Sequence, residues 1–373
     1  MSENLQQDSP KLIELRKRID SCDQQIIRLI QERVSVASEI AKAKIEVDEQ
    51  ASFYRPEREA QVLRRVRERN QLLRDEIDGL VSDDDIVRLM REIMSISLAA
   101  EMPMTVAYLG PEGTYTQGAV LKHFGQAVKN VDVKTIGDVF RIVEQGKAHF
   151  GVVPVENSTE GVITHTLDCF ASSHLKVCGE VQLPINHQLL SHADGLTAVK
   201  NVFAHPQALA QCRKWLERYL PDAVVDVASS NAEAAILASK DHSCAAIASD
   251  TAAKLYDIPI LASGIEDERN NTTRFLIIGH DSYAASGEDK TTIMVSAPNK
   301  VGSLFELLKP LYDAGVDLSR IESRPSRQTN WEYVFFIDLI GHIEQKHVSE
   351  ALEHLKTKSA FFKLIGSYPV GVL

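Results

Sequence analysis

Residues 11–47 contain no glycine and no internal proline, so nothing in the stretch ends or kinks a helix. A seam with alternating steps of four and three runs through it: Leu15, Ile19, Cys22, Ile26, Leu29, Arg33, Val36, Ile40, Ala43 and Val47. This spacing predicts one long helix with a coiled-coil-like stripe. Arg33 interrupts the stripe, and a guanidinium there is costly unless an anion from the protein or a ligand pairs with it. Lys44 lies ~20° from Arg33 around the helix and shares its face, whereas Arg16 sits roughly 100° away and serves a different neighbour.

A second helix is expected from Pro56, a favoured first-turn residue, with the stripe Glu59, Leu63, Val66, Asn70, Leu73 and Ile77. A third follows the capping residue Ser82 and the acids Asp83, Asp84 and Asp85, which suit the positive end of a helix. Its stripe, Met90, Met94, Ser97 and Glu101, sets a hydroxyl and a carboxyl one turn apart. One polar intrusion reads as a register device or a satisfied core group. Its repetition in three helices points to a polar pocket between them.

At 373 residues the chain exceeds one ordinary core and suggests two or three domains. Its 44% hydrophobic and 25% charged content suits a soluble globular protein. The start, MSENLQQDSPKLIEL, has no basic segment before an apolar core, and no apolar run approaches membrane-spanning length, so a cytoplasmic location is expected. Cys22, Cys169, Cys178, Cys212 and Cys244 are scattered without CxxC spacing, which favours reduced thiols over disulfides or a zinc site. A net charge of −11 makes nucleic acid and anionic membranes poor partners. A small dianion could still bind where a few cations are concentrated.

After Met102-Pro103 short apolar runs alternate with helical ones, an α/β pattern. Strand, polar turn and helix recur at Thr105 to Thr116, at Val202 to Gln207 and at Val225 to Asn231, and ligands gather at such strand ends. No GxGxxG follows a strand and no GxxxxGK[ST] occurs, so no nucleotide cofactor is expected. Two polar clusters adjoin buried strands: Gly151 to Gly161, containing Glu156, Asn157 and Ser158, and Arg269-Asn270-Asn271-Thr272-Thr273-Arg274-Phe275. In the second, Arg274 has two readings, an anion-binding group and a structural ion pair. His205 likewise reads as an acid or as a group that fixes its His-Pro-Gln turn. Beyond the polar linker 284–290, strands near 291–296, 316–324 and 333–340, helices from about Gly302 (capped by Asn299) and near 347–358, and a strand ending by Tyr368 give the ferredoxin-like order βαββαβ.

Through Leu15-Arg16, Glu32-Arg33, Ala43-Lys44, Arg58-Glu59 and Ser97/Glu101, residues 10–101 resemble the all-helical chorismate mutase domain. The resemblance implies an intertwined homodimer in which Arg16 reaches the partner's site. Arg16, Arg33 and Arg58 or a neighbour such as Arg55 would hold the carboxylates of chorismate, Lys44 would face the ether oxygen, and Glu59 the ring hydroxyl. Catalysis would come from holding the reactive conformer and stabilising charge on the ether oxygen. Glu101 stands where some members carry a donating glutamine, and some relatives have an aspartate near Arg55.

Residues 104–282, through Tyr108-Leu109-Gly110-Pro111, the Glu156 cluster and Thr273-Arg274-Phe275, resemble prephenate dehydratase. The resemblance implies two α/β lobes like those of periplasmic binding proteins, with residues 183–261 as the second lobe. It also implies a cleft lined by Thr114, Glu156, Asn157, Ser158 and Ser230. Thr273 would sit beside the leaving hydroxyl of prephenate with Arg274 near it. Residues 290–373, through Gly302-Ser303-Leu304 and Glu322-Ser323-Arg324-Pro325, resemble the ACT domain, which implies phenylalanine as an effector bound where two such domains meet. A protein of another class, a binding sensor with a helical dimerisation arm, would be better served by leucine at Arg33, Lys44 and Glu59.

Overall fold

The computed structural model describes residues 9–48, 53–77, 79–268, 270–297, 300–325 and 333–372. Arg269 and Asn299, both named above, lie outside the described residues. Helix α1 (Pro10–Val47) starts where Ser9 accepts a hydrogen bond from the Leu12 amide. It is followed by α2 (Pro56–Ile77) and α3 (Asp83–Glu101), the last capped by Ser82 as its sequence suggested. Both α1 and α2 pack on α3, and Leu63, Val87 and Met94 form the small core. Along α1 only Ala41 is buried, while Leu15, Ile19, Ile26, Leu29, Val36 and Ile40 are exposed. The expected seam therefore exists but is uncovered within one chain.

The next stretch builds two sheets. The first lobe comprises β1 (Thr105–Leu109), α4 (Tyr115–Phe124), β2 (Lys129–Val133), α5 (Ile136–Glu144), β3 (Phe150–Asn157), β4 (Gly161–Val162), α6 (Thr164–Ser172) and β5 (Lys176–Pro184). The chain then crosses into the second lobe: β6 (Gln188–Ser191), β7 (Asn201–Ala204), α7 (Pro206–Gln211), α8 (Arg213–Tyr219), β8 (Val224–Val227), α9 (Asn231–Ala238), β9 (Cys244–Ala248), α10 (Asp250–Leu255) and β10 (Ile260–Ala262). It returns as β11 (Thr272–Gly279), which inserts between β3 and β5 and runs antiparallel to both. The sheet orders are β2-β1-β3-β11-β5, with β4 on β3, and β10-β6-β9-β7-β8. Thr273 thus stands at the point of return between the lobes.

The last stretch is β12 (Asp289–Ser296), α11 (Ser303–Asp313), β13 (Leu318–Pro325), β14 (Tyr333–Ile340), α12 (Lys346–Lys358) and β15 (Phe361–Pro369). Its antiparallel sheet, ordered β13-β14-β12-β15, has the ferredoxin-like arrangement. The linker is not a loose tether: Ser286 and Asp289 are buried, and Arg64 of α2 donates to the Ser286 and Glu288 carbonyls at 3.2 and 2.8 Å.

Apolar side chains join the three parts. Tyr54 and Leu98 of the helical part pack with Phe124, Phe150 and Phe275 of the first lobe, and the Tyr54 hydroxyl lies 2.7 Å from His123 Nε2. Met294, Phe336, Ile365 and Tyr368 of the C-terminal sheet share a core with Val153, Leu276 and Ile278 of the first lobe. β15 approaches β5 so closely that a Cβ on Gly366 would stand 2.1 Å from the Val177 carbonyl oxygen, so only glycine fits there. Among the described residues no helix is long and apolar enough to cross a membrane.

Candidate active sites

In the helical part, α1 and α3 bring Arg33 against Ser97. One guanidinium nitrogen donates to the Ser97 hydroxyl and lies 3.4 Å from the Ile93 carbonyl oxygen. Glu101, one turn beyond Ser97, and Lys44 complete the cluster; Lys44 Nζ also lies 5.7 Å from the Phe53 ring centre. Burial lowers the Arg33 pKa, with Glu59 and Glu101 opposing it. Burial raises the Glu101 pKa against the pull of Lys44 and Arg33. A carboxyl that keeps its proton to higher pH can act as a donor, as a glutamine would.

Glu59 is not held for a ligand alone, because it pairs with Arg91 of α3. Burial raises its pKa while Arg91 and Arg33 oppose the rise. Arg91 escaped the reading of the sequence, although Val87, Arg91, Met94 and Leu98 form a stripe in steps of four, three and four with a cation inside it. Arg55 and Arg58 are exposed at the start of α2, and the Arg55 side chain bonds Glu57 at 2.7 Å. Arg16 and Arg33 are seventeen positions apart on α1, so roughly 25 Å along its axis, too far to grip one small molecule together.

The second site is a cleft of about 360 Å³ between the lobes, lined by Thr273, Asn157, Asn271, Tyr115, His187 and Gln211 together with Asn231, Gln207 and two apolar residues. Among the described residues it has no Lys or Arg; its donors are mainly side-chain amides. The side-chain oxygen of Asn157, Oδ1, accepts from the backbone amides of Thr159 and Glu160, each at 3.0 Å. Its amide nitrogen must therefore face the other way, where it donates to Thr273 Oγ1 at 2.8 Å and to Asn271 Oδ1 at 2.7 Å. Since the Thr273 oxygen accepts, its own proton is free to point into the cleft, and the hydroxyl donates no hydrogen bond among the described residues.

Side chains alternate along strands, and the neighbours of this pair face the opposite way. β11 and β3 pair Thr273 with Asn157 and Arg274 with Glu156. Arg274, only 11% exposed, meets Glu180 at 2.8 Å, Asp338 of β14 at 2.5 Å and the Tyr368 hydroxyl at 2.9 Å. Burial alone would disfavour its charge, but Tyr368, Asp338 and Glu180 more than offset that. The structural reading of Arg274 therefore describes its geometry, and its expected contact with a cleft ligand is corrected. Glu156 also turns from the cleft, to Arg320 of β13 at 3.2 Å.

Three other expected lining residues are not among those that line this cleft, and each makes a local bond. Ser230 caps α9 by accepting from the Glu233 amide, Thr114 stands before α4 without a capping bond and donates to the Leu109 carbonyl at 3.3 Å, and Ser158 ties β3 to β11 by accepting from the Thr272 amide at 2.9 Å. His205 caps α7, its Nδ1 accepting from the Gln207 amide, which is the turn-fixing role. Gln211, His187 and Tyr115 were missed. Gln211 was findable as the residue one turn after Gln207 on a short polar helix face, and His187 as a polar residue in the crossover between two apolar strands.

In the C-terminal sheet Gly302 has a φ of 81°, a left-handed conformation that favours glycine, and leads into α11. The next hydroxyl, Ser303 Oγ, is buried without a hydrogen-bond partner among the described residues. Leu304 beside it is exposed. Glu322, Ser323, Arg324 and Pro325 end β13, the outer strand of the sheet. The Arg324 guanidinium reaches across to Asp168 of α6 at 3.1 Å.

Family models described as chorismate mutase type II, prephenate dehydratase and ACT domain match residues 15–102, 106–283 and 291–356. A bifunctional chorismate mutase/prephenate dehydratase of Pseudomonas aeruginosa is 47% identical over 98% of this chain and 100% of its own. A solved prephenate dehydratase of Arthrobacter aurescens in complex with L-Phe is 34% identical, with a TM-score of 0.66 over 71% of this chain and 90% of that one. That of Staphylococcus aureus is 26% identical, with a TM-score of 0.64 over 71% of this chain and 100% of its own.

Proposed function

The chain belongs to the family of bifunctional chorismate mutase/prephenate dehydratases, and from that premise we propose which residues carry each reaction and how they are regulated. The enzyme rearranges chorismate to prephenate, then converts prephenate to phenylpyruvate. We assign the first activity to residues 10–101, the second to 104–282 and regulation to 290–373.

In the mutase, Arg33 and Lys44 bind the anionic substrate, and Lys44 with protonated Glu101 donates to the ether oxygen as charge develops there. Ser97 orients Arg33, Arg91 holds Glu59 toward the ring hydroxyl, and Arg55 and Arg58 close the mouth of the pocket. The second guanidinium for the substrate is Arg16 of a partner chain. The exposed apolar stripe of α1 and the ~25 Å separation of Arg16 from Arg33 support a homodimer whose α1 helices cover each other.

In the dehydratase, the departing carboxylate of prephenate leaves its electron pair in the ring, which becomes aromatic as the ring C–O bond breaks. The hydroxyl leaves as water and takes a proton on the way. Thr273 donates toward that oxygen, its own oxygen fixed by Asn157 and its weak acidity helped by desolvation. The observation that carries this reading is the orientation of Asn157, which leaves the Thr273 proton facing the cleft. The amides of Asn271 and Asn231 supply donors for the substrate's anionic groups.

Phenylalanine is the effector, as the L-Phe complex of the Arthrobacter aurescens enzyme supports. It binds at Gly302-Ser303-Leu304 and near Glu322 and Ser323, at the outer edge of β13, where a second ACT domain completes the site. Purified protein given chorismate should release prephenate and then phenylpyruvate, and phenylalanine should suppress the second product. No phenylpyruvate, or no response to phenylalanine, contradicts the dehydratase or the effector assignment respectively.

A further inference from the structure

We infer that Tyr115 and His187 are positioning residues of the dehydratase reaction, an inference that rests on Thr273 as the donor to the leaving hydroxyl. The two belong to an unbroken hydrogen-bond chain that crosses the cleft. From the fixed amide of Asn157 it passes to Asn271 Oδ1, and Asn271 Nδ2 donates to Gln211 Oε1 at 3.3 Å. Gln211 Nε2 is committed to Glu160 at 3.0 Å, where only a donor is acceptable. Gln211 therefore presents its oxygen to His187 Nε2 at 2.7 Å, and that nitrogen must carry the proton.

His187 is 2% exposed, and burial lowers its pKa against Gln211 and Glu266, so the ring is neutral near pH 7. With the proton on Nε2, Nδ1 is an acceptor, and the Tyr115 hydroxyl lies 3.0 Å from it. The same hydroxyl is 2.7 Å from the Asn186 carbonyl oxygen, so its proton lies between two acceptors of the crossover segment.

The chain thus ties three separate pieces together. Tyr115 opens α4 of the first lobe, His187 lies in the crossover just before β6, and Gln211 ends α7 of the second lobe. The chain and the Thr159 and Glu160 backbone amides thus hold Asn157 from opposite ends, and together they keep its Nδ2 against the oxygen of Thr273. Tyr115 and His187 act through Gln211, Asn271 and Asn157 rather than on the reacting atoms.

The test compares Tyr115→Phe, His187→Gln, His187→Asn and Thr273→Ala in the full chain, with mutase activity of the same preparations reporting intact folding. Tyr115→Phe keeps the ring and should lower kcat on prephenate roughly tenfold, the effect of about one hydrogen bond, with KM little changed. In His187→Gln the amide nitrogen takes the place of Nε2, so its loss should match that of Tyr115→Phe, and the double variant should lose no more. His187→Asn cannot reach Gln211 and should fall further. Nitrogen-15 NMR of the wild-type imidazole should put the ring proton on Nε2. Unchanged kcat in Tyr115→Phe and His187→Asn, a change in KM alone, or a proton on Nδ1 overturns the inference. Near-normal dehydration by Thr273→Ala overturns instead the reading of the cleft on which it rests.

Discussion

Glu101 shows how one side chain sets a condition on catalysis. A carboxyl donates a hydrogen bond only when protonated, and burial raises the Glu101 pKa while Lys44 and Arg33 pull it back. Mutase activity should therefore fall as pH rises through this titration, and Glu101→Gln, a donor at every pH, should flatten the profile. An unchanged profile in the variant removes Glu101 from the mechanism. Arg33 was legible in the sequence because a guanidinium in an apolar stripe demands a partner, and Ser97 was legible one stripe away. Thr273 and Arg274 were legible as polar residues entering a core strand but not in their directions. A threonine and an arginine adjacent on a strand must face opposite ways, and which one faces the cleft depends on what packs behind the sheet. Here that is Asp338, whose partnership with Arg274 spans 64 positions of sequence and left no local trace.

Among elements, β3 and β11 lie between the cleft and the C-terminal sheet. Their cleft face carries Asn157 and Thr273, and their rear face carries Glu156 and Arg274, each held by the C-terminal sheet through Arg320 and Asp338. Arg320 lies two residues before Glu322 on β13, so if the proposed effector site moved that strand, the Arg320–Glu156 pair would carry the shift to the strand that bears Asn157. Asp338→Asn keeps the volume and removes the charge, and it should weaken inhibition by phenylalanine by about fivefold or more. Full inhibition in the variant would exclude this route. Breaking the buried Arg274–Asp338 pair should also cost on the order of 3 kcal/mol of stability, read from urea unfolding. Helix starts at Pro56 and Ser82 were readable because first-turn prolines and caps are local. The rear-face ion pairs were not, because they join elements far apart in sequence.

At the scale of the whole molecule, the helical part is the one left open. Its apolar α1 stripe is exposed, and the two arginines proposed to bind the substrate sit at distant points of one helix, which a second copy of the chain would resolve. Mixing Arg16→Ala with Arg33→Ala subunits should then restore roughly a quarter of wild-type mutase activity, since each mixed dimer has one site with neither change. No recovery on mixing contradicts the shared site. The three-part organisation was legible because each part has its own apolar period, from a stripe in steps of three and four to α/β alternation to βαββαβ. The shared cores at Tyr54 and at Tyr368 were not, because buried aromatics look alike wherever they pack. Thr273 is the proposed donor of the dehydratase reaction, so the direct measurement is phenylpyruvate release from prephenate by Thr273→Ala and Thr273→Ser, with mutase activity followed in parallel. Thr273→Ala should lose on the order of 100-fold in kcat, Thr273→Ser should regain part of it, and both should keep the mutase rate. Near-normal phenylpyruvate release by Thr273→Ala would contradict the account.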